Sequence, residues 1–133
     1  MIYLLDTHYM LWALTDTQKL SKKIKDVITH PENRIVISTI SFWEVSLKAS
    51  IGKIEIVGFA PEDLPGACMQ MGFDIASLGP RDSSSYHRLR ASYHKDPFDR
   101  MLIWMAICND YTLISADTNV KKYASEGLRI LAA

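Results

Sequence analysis

Four acidic residues lie far apart in this 133-residue chain, at positions where a parallel sheet would bring them to one edge. They are Asp6, Glu44, Asp99 and Asp117. Asp6 directly follows the apolar run 2–5, and Asp117 follows the β-rich run 112–115. Open parallel sheets bind ligands beyond the carboxyl ends of their strands, so these acids are expected to converge. Clustered carboxylates repel one another unless a cation or protons neutralise them, so the pattern predicts a divalent-metal site.

Each acid also has an ordinary structural explanation. Asp6 and Asp117 precede predicted helices and could be N-caps, although Thr7 could cap the first helix equally well. Ser41 and Glu44 have the spacing of a capping box, in which the acid bonds back to the N-cap amide. The coincidence of several acids at one predicted edge favours the metal site over separate caps.

The segment 94–100 reads His-Lys-Asp-Pro-Phe-Asp-Arg and predicts the start of a helix. Pro97 is tolerated in a first helical turn. Asp96 is the expected N-cap and Asp99 an acid of the first turn, where the helix dipole favours negative charge. His94 is expected to be a partly exposed polar residue rather than a metal ligand.

A set of carboxylate ligands suits Mg²⁺ or Mn²⁺, hard cations often bound by carboxylates together with a phosphate. Such a cation lowers the pKa of a bound water and stabilises charge that develops on a phosphoryl oxygen. We therefore expect metal-dependent hydrolysis of phosphodiester bonds, with one carboxylate orienting the attacking water.

Apolar runs alternate with helical patterns along the chain, which predicts βαβ units, a parallel sheet and one α/β domain over residues 1–133. Predicted strands cover residues 2–5, 34–37, 73–75, 112–115 and 129–131. Predicted helices cover residues 8–14, 22–29, 42–50, 81–90, 97–109 and 118–124, with Ser21 capping the second and Ser41 the third.

Composition excludes several classes of protein. Hydrophobic residues make up 48% and charged residues 23%, which is ordinary for a globular protein. No apolar run approaches the roughly 20 residues that span a membrane, and the N-terminus lacks the pattern of a secretory signal, so we expect a cytoplasmic location. Cys68 and Cys108 have no zinc-ligand spacing and are expected to be buried apolar residues. Core packing is likewise expected for the tryptophans, Trp12, Trp43 and Trp104, with an exposed groove for a partner as the alternative.

Charge does not identify a partner, because fifteen basic and fifteen acidic residues give a formal net charge of zero. Nucleic-acid-binding proteins usually carry a basic patch. Basic residues do cluster in two stretches. Two explanations are open for these clusters, contacts with RNA and solvated helix faces. The residues are Lys19, Lys22, Lys23 and Lys25, then Arg81, Arg88, Arg90, Lys95 and Arg100.

Four motifs together resemble a known family. They are LLDTHYMLWAL at 4–14, STISFWEVSLK at 38–48, HKDPFDRMLI at 94–103 and LISAD at 113–117. In this order and spacing the chain is similar to PIN-domain proteins of the VapC type, the toxin ribonucleases of toxin–antitoxin pairs. Two residues depart from the pattern: Trp104 replaces a small residue, and Ala116 replaces a polar one.

The resemblance implies a three-layer α/β/α fold with a central, mostly parallel sheet flanked by helices. It implies Mg²⁺- or Mn²⁺-dependent cleavage of structured RNA, transfer RNA often among the targets. It also implies a homodimer silenced by a VapB-like antitoxin. The family's acidic set maps onto Asp6, Glu44, Asp99 and Asp117. Thr7 and Ser115 match polar positions beside the acids that bond a metal-bound water or a phosphate. Asp96 belongs to the same local motif as Asp99 and is expected to assist without binding the metal directly.

Two alternatives remain open at this point. A phosphate-ester hydrolase could use a similar sheet, but a haloacid-dehalogenase-type site needs a second acid at position 8, which is His8. A receiver-type site needs paired acids near the first strand, which are also missing. The other alternative is a non-catalytic PIN-like binding domain, which would bind no Mg²⁺ or Mn²⁺.

Overall fold

The computed structural model describes residues 1–131, which form a single parallel sheet with helices on both faces. The strands are Ile2–Leu5 (β1), Arg34–Ser38 (β2), Asp74–Ala76 (β3), Thr112–Ile114 (β4) and Arg129–Leu131 (β5). The α-helices are Thr7–Thr15 (α1), Lys22–Thr29 (α2), Thr39–Ser50 (α3), Leu64–Gln70 (α4), Pro80–Ser85 (α5) and Pro97–Asn109 (α6). Short 3₁₀ helices cover Thr17–Lys19, Pro61–Asp63, Tyr86–Arg88 and Thr118–Glu126. The last two residues of the predicted domain lie outside the described range.

The sheet has the strand order β3-β2-β1-β4-β5, and every described pairing is parallel. At its centre Leu4 of β1 is in register with Val36 on one side and Leu113 on the other. The chain leaves β1 towards β2 and later returns to the opposite side of β1 at β4. The carboxyl ends of β1 and β4 therefore meet at a switch point of the topology, where α/β sheets bind ligands.

Two apolar cores confirm the predicted three layers. Successive residues of β1 point to opposite faces, so Tyr3 and Leu5 enter one core while Leu4 enters the other. The first core packs α1, α2 and α4 on the sheet, and the second packs α6 and the 3₁₀ helix Thr118–Glu126. Both faces of the sheet are therefore covered, as an all-parallel sheet requires.

Several predicted boundaries are wrong, and one changes the interpretation of an acid. Helix α3 begins at Thr39, because Ser38 Oγ accepts from the amide of Ile40 at 3.0 Å. Ser41 is therefore inside the helix, and the predicted capping box with Glu44 does not form. The predicted helix 81–90 divides into α5 and a 3₁₀ turn.

Three predictions of burial are also wrong. Cys68 is buried as expected, but Cys108 is exposed on α6. Trp43 is 59% exposed, so it does not belong to the core. Arg100 is buried and cannot belong to a basic surface. Within residues 1–131, no helix is long and apolar enough to cross a membrane.

Candidate metal centre

Asp6 lies at the end of β1, buried beneath the loop that follows β4. Its Oδ1 accepts from the amide of Tyr9 at 2.8 Å, so Asp6 itself is the N-cap of α1. Its Oδ2 accepts from the amide of Ala116 at 3.2 Å. Burial raises the pKa of Asp6, and these hydrogen bonds partly oppose the rise. The bond to Ala116 places Asp6 beside Asp117, as the positions of the two strand ends predict.

Asp117 caps the 3₁₀ helix Thr118–Glu126 and keeps one carboxylate oxygen for other contacts. Its Oδ1 accepts from the amide of Asn119 at 2.8 Å. Ser115 Oγ accepts from the amide of Asp117 at 3.1 Å, and the Ser115 side chain opposes the rise in the pKa of Asp6. The predicted polar neighbour Ser115 therefore lies beside both acids at the ends of β1 and β4.

Asp99 lies in the first turn of α6, where the negative charges of the other acids act on its carboxylate. Asp96 is the N-cap of this helix, since its Oδ1 accepts from the amides of Phe98 and Asp99 at 2.9 and 3.1 Å. The pKa of Asp99 is raised to about 7. Burial is the largest cause, followed by the charges of Asp96, Asp6, Glu44 and Asp117. The other three sequence-predicted acids therefore lie near enough to Asp99 for their charges to act on it.

Glu44 approaches from α3 and is only 4% exposed. Thr7 Oγ1 donates to its Oε1 at 2.6 Å, and Lys48 Nζ donates to its Oε2 at 2.5 Å. The bond to Glu44 raises the pKa of Lys48, and the charges of Asp96 and Asp99 raise it further. Sequence reasoning overlooked Lys48, although its place four residues after Glu44 on a helix is the usual signal for an ion pair.

His94 is intermediate in burial, as expected, but only 10% of its side chain is exposed and it contacts the acids. Its Nδ1 lies 3.0 Å from the Tyr123 hydroxyl, and its Nε2 lies 3.9 Å from Asp117 Oδ2. Ligand atoms of His94, Asp99 and Asp117 all lie within 4.8 Å of one another. Asp6 and Glu44 are not part of this tight group, although their charges act on Asp99.

These residues fit a divalent cation. Ligand atoms of Asp99 and Asp117 lie within 4.8 Å of each other and of a His94 nitrogen. Burial first, and then the negative charges of the neighbouring acids, raise the pKa of Asp99, and a cation would offset both effects. In residues 1–131, His94 Nε2 is a buried side-chain atom with no hydrogen-bond partner, and it faces the same volume. Oxygen ligands with an additional imidazole are a common donor set for divalent metal ions.

Fold and site together define the class of protein. The chain belongs to the PIN domain family, whose family model matches residues 3–126.

The individual relatives share only low sequence identity with this chain. The chain is 23% identical over 124 residues to ribonuclease VapC22 of Mycobacterium tuberculosis, with 90% of each sequence covered. Its fold is similar to that of VapBC2 from Rickettsia felis, solved with a promoter DNA fragment, at 19% identity and a TM-score of 0.68, covering 98% of each chain. DNA-bound VapBC from Salmonella typhimurium has 16% identity and a TM-score of 0.70, covering 98% of this chain and 97% of that one.

Proposed function

We propose that this protein is a metal-dependent endoribonuclease of the VapC type that hydrolyses phosphodiester bonds in structured RNA, transfer RNA being the expected target. The observation that carries the proposal is the group formed by Asp99, Asp117 and His94, whose ligand atoms lie within 4.8 Å of one another. Burial and then the charges of Asp96, Asp6, Glu44 and Asp117 raise the pKa of Asp99 in this group. Membership of the PIN domain family and similarity to ribonuclease VapC22 support it.

The acids hold the metal in this proposal. Asp6, Asp99 and Asp117 bind Mg²⁺ or Mn²⁺, and Glu44 binds it directly or through water. When bound, the cation lowers the pKa of water and stabilises charge that develops on a phosphoryl oxygen.

The other residues of the site orient these acids. Thr7 and Lys48 each donate to one oxygen of Glu44, which fixes the direction of its carboxylate. Ser115 Oγ accepts from the backbone amide of Asp117 beside Asp6, and Asp96 fixes the first turn of α6. Holding charges in a fixed geometry before substrate arrives is the main way such sites lower a barrier.

The partners follow from the same assignment. A VapB-like antitoxin is the proposed inhibitor, and a homodimer is the proposed assembly. Two similar solved structures are VapBC complexes bound to DNA, which supports a second chain. Trp43 offers exposed apolar surface one residue before Glu44, and its ring packs edge-on against Phe98 at 5.2 Å. Cytoplasmic location remains part of the proposal.

Removing single carboxylates tests the function. Asp6→Asn and Asp99→Asn should each lower the rate of RNA cleavage by at least about a hundredfold, because each removes a negative charge from the metal site. Cleavage is measured on purified protein with a transfer-RNA pool and Mg²⁺ or Mn²⁺.

The matched control is Asp26→Asn, which changes an exposed acid on α2 and should leave the rate unchanged. Circular dichroism verifies that each variant is folded. Cleavage at the wild-type rate by folded Asp6→Asn and Asp99→Asn would contradict the proposed function.

A further inference from the structure

His94 has a buried ring nitrogen with no hydrogen-bond partner. The side chain is nine-tenths buried, and the structure of residues 1–131 provides no partner for its Nε2. Leaving a buried polar atom unpaired is unfavourable, so such an atom calls for a physical explanation. Its surroundings supply one.

The unpaired nitrogen faces two carboxylates of the candidate metal centre. It lies 3.9 Å from Asp117 Oδ2, and ligand atoms of His94, Asp99 and Asp117 fall within 4.8 Å of one another. A six-coordinate cation with bonds of about 2.1 Å holds neighbouring ligand atoms about 3 Å apart and opposite ones about 4.2 Å apart. Small side-chain adjustments would therefore place all three atoms around one ion.

The rest of the ring is held in this orientation by a hydrogen-bonded chain. Nδ1 of His94 lies 3.0 Å from the Tyr123 hydroxyl, and Arg100 Nη1 donates to the same hydroxyl at 2.8 Å. The backbone amide of His94 also reaches this hydroxyl, at 3.4 Å, so the ring and its backbone are held against the same oxygen. In the tautomer that carries its proton on Nδ1 the imidazole lone pair lies on Nε2, and this is the tautomer that a metal ion at Nε2 selects. Histidines that bind metals are usually fixed in this way through their second nitrogen.

The size of the space favours a cation over an RNA phosphate as the partner of Nε2. This atom is buried, so a phosphate group cannot reach it without opening the site. A phosphate would also meet the negative charges of Asp99 and Asp117. A bare divalent ion is smaller than water and is attracted by those charges.

We infer that His94 is a nitrogen ligand of the cation that Asp99 and Asp117 bind, an inference that rests on the proposed metal site. The donor set is then mixed nitrogen and oxygen rather than carboxylate alone. Imidazole adds affinity for later transition-metal ions far more than for Mg²⁺. The site should therefore prefer Co²⁺ or Mn²⁺ over Mg²⁺, and most of that preference should come from His94.

The test compares metal binding by the full metal-free chain and by His94→Ala, with Co²⁺ and Mg²⁺ titrated separately by calorimetry. His94→Ala should weaken Co²⁺ binding by at least roughly tenfold and change the visible absorption of bound Co²⁺, with a much smaller effect on Mg²⁺. His87→Ala, at an exposed histidine nearby, should match the wild type. Unchanged Co²⁺ affinity and absorption in His94→Ala would overturn the inference.

A second measurement uses the wild-type chain and therefore does not depend on whether a variant folds. Pulsed EPR of Mn²⁺ bound to the wild-type chain should show hyperfine coupling to a nitrogen, and its absence would also count against His94. Failure of the proposed metal site gives a different result. In that case the wild type binds neither ion, or Asp117→Asn binds both as the wild type does. If Asp117→Asn loses metal binding while His94→Ala binds as the wild type does, the proposed metal site stands and only the role of His94 is refuted.

Discussion

At the residue scale, the acids of the site are predictable and their neighbours are not. Asp6 and Asp117 could be placed together because each follows a predicted strand, and parallel strands end at one edge. Burial of His94 and the bond from Lys48 to Glu44 depend on packing between distant segments. Sequence patterns near each residue do not contain that information, so they do not predict the contact between His94 and Asp117.

The raised pKa of Asp99 predicts how the metal-free protein responds to pH. Its value rises from 3.8 to about 7 in the folded chain, so the folded state binds a proton more tightly than the unfolded state. The free energy of unfolding should therefore fall as pH rises from about 4 to 7, and level off above. Asp99→Asn should remove this contribution. In EDTA its melting temperature should exceed that of the wild type by a few degrees at pH 8 and by less at pH 5.

Thermal melts across this pH range provide the measurement, with Asp26→Asn as the control for a general charge effect. Saturating Mn²⁺ should raise the melting temperature of the wild type and not that of Asp99→Asn. A wild type that gains stability relative to Asp99→Asn between pH 5 and 8 would contradict the crowding of negative charge at this residue.

At the element scale, Arg100 joins the start of α6 to the segment 86–94 that precedes it. Its guanidinium donates to the Tyr86 hydroxyl at 2.7 Å and to the carbonyls of Leu89 and Ala91 at 3.0 and 2.8 Å. The α-helix predicted over 81–90 ends at Ser85. The segment after it is held by hydrogen bonds from the buried Arg100 guanidinium rather than by the backbone hydrogen bonds of an α-helix. Local patterns predicted where α6 begins, because Asp96-Pro97 is a typical helix start. They did not predict the path of the segment 86–94, because a side chain distant in sequence, Arg100, determines it.

Replacing Arg100 should destabilise the protein and loosen this segment. Arg100→Met keeps a flexible apolar stem but leaves buried carbonyl groups without donors, so it should cost about 2–4 kcal/mol of unfolding free energy. Urea denaturation measures the loss, and limited proteolysis should find new cleavage within 86–94. Arg90→Met is the control at an exposed arginine. A change below about 0.5 kcal/mol in Arg100→Met would mean that Arg100 does not hold the segment.

At the scale of the whole molecule, the net charge of zero conceals an uneven distribution. Exposed Arg88, Arg90 and Lys95 accompany Tyr93 in the segment just before the acids, while the exposed lysines of α2 lie on the other face of the sheet. Alternation of strands and helices predicted the fold class. It did not predict the order β3-β2-β1-β4-β5, because strand order depends on long-range packing.

This distribution predicts which face contacts RNA. Alanine substitution of Arg88, Arg90 and Lys95 together should weaken RNA binding at least roughly tenfold, and should lower the slope of log affinity against log salt by about 2. Filter binding at several salt concentrations provides the measurement. The control replaces Lys22, Lys23 and Lys25, so the change in net charge is the same. Equal effects of the two triple variants would show that total charge, rather than this segment, determines binding.

Crystals soaked in Mn²⁺ give the most direct test that the acids at the end of β4 and in the first turn of α6 form a metal site. Anomalous diffraction should show an ion within bonding distance of the Asp99 and Asp117 carboxylates, and no ion there in crystals of Asp99→Asn. Absence of anomalous density at these acids in wild-type crystals soaked in millimolar Mn²⁺ would contradict the account.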